Sequence, residues 1–258
     1  ELLGTSFQPS EFAKFIIIIF MSQYAIKNKN RLNGNFKSFI IFSLPLLIAF
    51  LLIAKENLST GIVVMAVGFM IMFVASSRLG NFVLFGAMGV VGFILLIIIE
   101  PYRIDRIKGW LDPWSDPSDT GYQIIQSLYA VASGGLFGLG IGQSRQKTFI
   151  PESYNDIIFA IICEELGLVG AVVVILLFAL LIWRGTKIAM TAKDKYSSYV
   201  ATGITTMIAV QVIINISVVT NSIPNTGMPM PFISYGGTSL VVMMASIGLL
   251  LNISRDCK

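Results

Sequence analysis

The amino-acid sequence predicts an all-α integral membrane protein, a polytopic helical bundle, and three observations carry that prediction. Of 258 residues, 55% are hydrophobic and 12% charged, against about 25% charged in soluble domains, and mean hydropathy is +0.80. Seven apolar stretches, at about 11–26, 38–54, 60–76, 82–100, 157–183, 199–220 and 238–253, approach or exceed the roughly 17–20 residues a spanning helix needs. The loops between them alternate in charge, which gives the bundle an orientation.

The first stretch carries Glu11 and Lys14, three apart on one helical face, where they can form an ion pair. The pair reads either as mutual neutralisation near hydrocarbon or as a substrate-orienting device. Loops 27–37 (Lys27, Lys29, Arg31, Lys37), 77–81 (Arg78), 184–198 (Arg184, Lys187, Lys193, Lys195) and the tail (Arg255, Lys258) are basic, whereas 55–59 and 221–237 hold only Lys55. Basic loops stay cytoplasmic. The rule places the C-terminus inside and the long segment 101–156 outside. We read 1–258 as one membrane domain, with 101–156 as a large extracytoplasmic loop inside it. The chain opens with Glu rather than Met and reads as part of something longer.

Segment 101–156 exceeds the usual connecting-loop length, which points to function or disorder, and its Tyr102, Trp110, Trp114, Tyr122, Tyr129 and Phe137 argue against disorder. Tyr122 to Ala132 places Ile124, Ile125, Leu128 and Tyr129 on one side, as a helix lying along the membrane face would. Arg103, Arg106, Lys108, Arg145 and Lys147 supply cations for either lipid headgroups or a diphosphate. The glycine-dense run Ser133 to Gly142 follows no strand and lacks a Gly-Lys-Ser/Thr ending, so close backbone packing or a flexible turn is the better reading than a phosphate cradle.

Glu152 and Asp156 then lead into the fifth apolar stretch. Asp156 directly precedes Ile157 and reads two ways: as an N-cap, or as a carboxylate at the membrane surface placed to take a proton from a substrate hydroxyl. Glu164 and Glu165 lie farther in, about 12–14 Å below Asp156 along an ideal helix, and suit bonds to a neighbouring helix better than an acid pair with Asp156. Pro224, Pro229, Pro231, Gly227, Gly236 and Gly237 crowd 221–237. So many breakers beside a span suggest irregular backbone, tolerated at membrane depth where it is buried in protein or lines a wet cavity.

Exclusions narrow the chemistry. The chain has no His, which removes His-based acid–base catalysis and His-ligated metals. Cys163 and Cys257 offer neither a disulfide framework nor metal spacing. The net charge of +4 reads as a topology signal, and nothing supports nucleic-acid binding.

Gln8-Pro-Ser-Glu-Phe-Ala-Lys14, Pro101-Tyr-Arg-Ile-Asp-Arg-Ile107, Gly121-Tyr-Gln-Ile-Ile-Gln-Ser127, Ser133-Gly-Gly-Leu-Phe-Gly138, Gly142-Gln-Ser-Arg-Gln-Lys147, Ile150-Pro-Glu152, Asp156, Glu164-Glu-Leu-Gly167 and Pro231-Phe-Ile-Ser-Tyr-Gly-Gly237 together resemble the SEDS family, and the Gly142 motif is more similar to its FtsW and SpoVE branch than to RodA. The resemblance implies a bacterial peptidoglycan glycosyltransferase of the cytoplasmic membrane that polymerises lipid II outside it, alongside a class B penicillin-binding protein transpeptidase. Family members have ten spans, so about three N-terminal helices are expected to precede this chain. The family's essential acid falls on Asp156, and its first-motif ion pair on Glu11 and Lys14.

Two departures from the family pattern stand out: Asn57 in place of an Asp, which puts any role of that Asp in doubt, and Ile157 in place of a Phe. The expected site is thus Asp156 as base, with Glu11, Lys14, Arg103, Arg106, Arg145, Lys147, Glu152 and Glu165 in binding or supporting roles. No metal ligands are assigned, although a Mg or Mn ion held by Asp156 is an alternative to the cations for neutralising a diphosphate. The rival functions are a flippase for the same lipid-linked precursor, using Glu11, Lys14, Glu164 and Glu165, and a scaffold that recruits the transpeptidase.

Overall fold

The structure, a computed structural model, describes residues 8–117, 121–150 and 154–257, and gives no side-chain account of residues 93, 95, 96, 99, 101 and 103. Glu152 and the side chain of Arg103 therefore lie outside the described residues.

Among those residues every regular element is helical. The order is α1 (Pro9–Lys27), α2 (Lys29–Leu32), α3 (Phe36–Glu56), α4 (Leu58–Ala75), α5 (Gly80–Ile99), α6 (Pro101–Leu111), α7 (Tyr122–Ser133), α8 (Ile158–Thr191), α9 (Lys195–Val219) and α10 (Gly237–Arg255), with short 3-10 turns at Pro113–Ser115 and Gln146–Thr148. Five of them, α3, α4, α8, α9 and α10, are long and apolar enough to cross a membrane. The other two predicted stretches are α1, which carries Glu11 and Lys14, and α5, whose Gly80–Gly92 portion is a shorter apolar helix. The helix predicted over Tyr122 to Ala132 is present as α7, with Ile124 and Ile125 buried.

The chain forms two compact units. One comprises residues 1–91, 180–210 and 236–258, and the other 92–179 with 211–235.

In the first unit α4 packs against both α1 and α3, and Gly68 lets Leu46 lie directly on the α4 backbone. The interior includes Ile18, Met21, Phe39, Phe42, Leu46, Ile71, Met72, Ile204 and Met207. Phe39, Phe69 and Phe73 meet Phe82 edge-on at 5.0, 5.3 and 5.5 Å, the geometry aromatic quadrupoles favour. Ser22 and Ser43 donate their hydroxyls to the carbonyls of Ile18 and Phe39 one turn back, which satisfies them without a partner helix.

Asn57 begins α4: its side-chain oxygen accepts the Thr60 N–H at 3.0 Å. Asn caps a helix about as well as Asp, so the departure from the family pattern preserves the cap. Glu11 and Lys14, both buried, pair at 2.7 Å in this unit. Such a pair offsets much of the desolvation either charge would suffer alone.

The second unit holds α6, α7, the glycine-dense run, the first part of α8, the end of α9 and the irregular stretch 221–235. This unit positions the carboxylates.

Candidate active site

Helix α8 contains a break. Gly167 adopts φ 67° and ψ −167° inside it, a region open essentially to glycine alone. A broken helix leaves carbonyls and amides unpaired, and the glycine-dense run supplies their partners. Leu139 and Gly140 donate their N–H groups to the carbonyls of Glu164 and Glu165, both at 3.0 Å, while Leu168 and Val169 donate to Gly135 and Leu136 at 2.9 and 3.1 Å. The run from Ser133 to Gly142 is thus close backbone packing, one of its two predicted readings.

Directly after it, the basic strap is fastened by Glu164. Fully buried, that carboxylate accepts the N–H groups of Arg145 and Gln146 at 3.1 and 3.2 Å, the Ser133 hydroxyl at 3.4 Å and the Ser144 hydroxyl. Glu165 accepts the Ser144 N–H at 3.4 Å. Most of these donors come from the loop that follows the glycine-dense run, and Ser133, the last residue of α7, is the neighbouring-helix partner that was expected. Arg145 and Lys147 are carried on this strap, with both side chains exposed and the Lys147 ammonium donating to the Gly142 carbonyl.

Asp156 is held differently. It lies half-buried in the turn 154–157, and α8 begins two residues later at Ile158. The stretch 221–235 is sewn along this turn. Tyr235 donates its N–H to the Tyr154 carbonyl at 2.9 Å, the Ser234 hydroxyl donates to the Asn155 carbonyl, and the Asn215 amide donates to the Asp156 carbonyl at 2.7 Å and to that of Met228 at 2.8 Å. The rings of Tyr154 and Tyr235 meet edge-on at 5.6 Å. Irregular backbone was expected here, and Asn221, Gly227 and Phe232 indeed have positive φ.

Gly227 is exposed, at φ +63°, and a Cβ placed on it would stand 3.7 Å from the Asp156 carboxylate. The carboxylate therefore has the Gly227 backbone beside it, at a position that carries no side chain. Arg106 reaches the same stretch, donating to the Asn225 carbonyl at 3.3 Å with its guanidinium 5.7 Å above the Tyr102 ring. Trp110 donates to the Asn221 carbonyl at 2.9 Å, and Asn225 donates to the Gln123 side chain. Helices α6 and α7 thereby brace the loop that faces Asp156.

Of the expected site residues, then, the second unit brings Asp156 and Arg106 to one loop and sets Arg145, Lys147 and Glu165 at the α8 break. Glu11 and Lys14 belong to the first unit. Among the described residues no three His, Cys, Asp or Glu side chains converge as metal ligands would. Asn215 was missed in the sequence, although a buried amide in an apolar helix is a signal that can be read.

The family model for FtsW, RodA and SpoVE, described as "Cell cycle protein", matches residues 1–258. The chain is 49% identical over 257 residues to "Stage V sporulation protein E" of Bacillus subtilis, covering 97% of this chain and 69% of that one. It is 36% identical over 256 residues to the "Probable peptidoglycan glycosyltransferase FtsW" of a Geobacter species, covering 98% and 70%. Among solved structures, one described as "Structural coordination of polymerization and crosslinking by a peptidoglycan synthase complex" aligns with TM-score 0.74 at 25% identity, over 100% of this chain and 73% of that one. Thermus thermophilus RodA shares the fold, with TM-score 0.64 at 24% identity over 100% and 69%.

Proposed function

Starting from the fact that the chain belongs to the FtsW/RodA/SpoVE family, we propose that it is a peptidoglycan glycosyltransferase that polymerises lipid II in cell division or sporulation, with Asp156 as its general base. One observation carries the residue assignment: Asp156 sits in a turn fixed through its own backbone, facing the exposed, side-chain-free Gly227. A base needs a fixed position and room for a hydroxyl within hydrogen-bond reach.

In this reading the Asp156 carboxylate accepts the proton of the acceptor sugar's 4-hydroxyl. The new C–O bond forms at the anomeric carbon of the lipid-linked glycan as the bond to undecaprenyl diphosphate breaks, and the diphosphate departs with the electron pair, so the centre inverts. Diphosphate needs charge neutralisation more than protonation. Arg106, on the loop that faces Asp156, suits that role, with Arg145 and Lys147 as further cations. In this reading, which the distribution of basic loops supports, Asp156 lies on the outer face of the cytoplasmic membrane, where a class B penicillin-binding protein transpeptidase would take up the glycan strand. Glu11 and Lys14 act as a neutralised brace within their own unit.

The flippase reading loses its residues: Glu164 is engaged by fixed donors, and Glu11 is paired with Lys14. The full-length protein reconstituted in sealed vesicles with labelled lipid II distinguishes the two. We expect long glycan strands, and translocation of lipid II without polymer would overturn the reading.

A further inference from the structure

We propose that Asn215 is the positioning residue for the Asp156 carboxylate, acting by locking the Asp156 peptide to the loop opposite it; this rests on the reading of Asp156 as the base. Asn215 lies near the end of α9, fully buried. Both of its amide hydrogens are used across long sequence separations, one on Asp156 at 2.7 Å and one on Met228 at 2.8 Å. The two acceptors fix the amide's orientation, because the flipped amide would set its oxygen against two carbonyl oxygens.

The placement of those carbonyls gives the bond its function. One belongs to the residue that carries the carboxylate. The other belongs to the residue following Gly227, where a Cβ would lie 3.7 Å from that carboxylate. A single side chain thus sets the separation between the base and the open backbone where a hydroxyl would approach. Ser234 and Tyr235 hold the two preceding residues, Asn155 and Tyr154, and Asn215 extends the stitching to Asp156 itself. Other side chains fail for identifiable reasons: Asp presents oxygen to two carbonyls, Leu leaves both unpaired in a buried site, and Ala adds a cavity to that loss.

The test uses the full-length protein and labelled lipid II, with thermal unfolding measured alongside. Displacement of a catalytic group by about 1 Å costs up to about 100-fold, so Asn215→Ala is expected to lower kcat by about 10-fold or more with KM within about 2-fold. Asn215→Gln, which keeps the donating group, recovers part of that loss. In an Asp156→Glu background, where the carboxylate is already displaced, Asn215→Ala costs less than about 2-fold further, because residues acting as a unit are non-additive.

A parental kcat in Asn215→Ala, or an undiminished loss in the Asp156→Glu background, would overturn the inference. So would a loss that tracks only the folded fraction, or failure of both Asn215 variants to fold, since either makes Asn215 purely structural. A parental rate in Asp156→Asn sinks the base assignment itself, whereas an inactive Asp156→Asn beside a fully active Asn215→Ala sinks only the positioning role.

Discussion

Asp156 and Glu164 are eight residues apart, both acidic and both at the start of a long apolar helix, yet the fold treats them oppositely. Glu164 is fully buried and its carboxylate is spent on fixed donors, including the amides of Arg145 and Gln146 and the hydroxyl of Ser144. Asp156 is gripped through its main-chain carbonyl while its carboxylate faces exposed Gly227. A carboxylate saturated by protein donors organises its neighbours, and one positioned by its backbone can be presented to a substrate.

The comparison can be broken at either end. The largest effect is expected at the α8 break, where Gly167→Ala must force a Cβ into the Leu136 and Gly138 backbone at a φ and ψ that L-residues avoid. Thermal unfolding should register a loss of about 3 kcal/mol or more. An unchanged melting temperature would mean that the glycine run is not seated in the break.

Gly227→Val comes next. Its Cβ would be in ordinary contact with Asp156, and the branched side chain, at φ +63°, would stand beside the carboxylate. We expect lipid II polymerisation to fall about 100-fold with stability lowered by about 1–3 kcal/mol; parental turnover would show that the acceptor does not approach over Gly227.

At the seat, Glu164→Gln replaces one accepting oxygen by a donor that faces other donors. A stability loss of about 1–3 kcal/mol, with kcat per folded molecule within about 3-fold, is the expected pattern. A selective collapse of kcat in stable protein would erase the distinction drawn above.

The smallest effect concerns a third carboxylate. Asp194 accepts the Ser197 N–H at 3.0 Å and its hydroxyl at 2.7 Å, and these bonds, the N–H foremost, hold its pKa below the ordinary carboxylate value. A lowered folded-state pKa contributes stability above the unfolded-state value, lost as pH falls through the folded one. Melting curves of Asp194→Asn should therefore lie slightly below the parent at neutral pH and merge with it in acid, and a gap that persists in acid would contradict the assignment.

The helices were legible because long apolar runs leave little else for the backbone to do in a membrane, and the four-residue spacing of Ile124, Ile125, Leu128 and Tyr129 marked α7. The break in α8 was hidden by the same signal: apolar residues run straight through Gly167, and what interrupts the helix lies some 30 residues earlier, in the Gly135 to Gly140 backbone that bonds to it. The donors to Glu164 come from positions 18 to 31 residues away, beyond any local spacing rule, so the sequence suggested a neighbouring helix, which Ser133 of α7 supplies, and not the loop amides of Arg145 and Gln146. Asp156 was read as immediately preceding its helix, and the turn 154–157 intervenes because residues 154–156 are paired to 215 and 234–235. Asn215 escaped notice as one amide in an apolar stretch, its importance set by two carbonyls from distant loops.

The most direct measurement is glycan-strand formation from labelled lipid II by full-length Asp156→Asn protein, compared with Glu164→Gln at matched folded concentration. Asn keeps the size of the side chain and removes the base. The account predicts no detectable polymer from Asp156→Asn and near-parental kcat from Glu164→Gln. Parental polymerisation by a folded Asp156→Asn protein would contradict it.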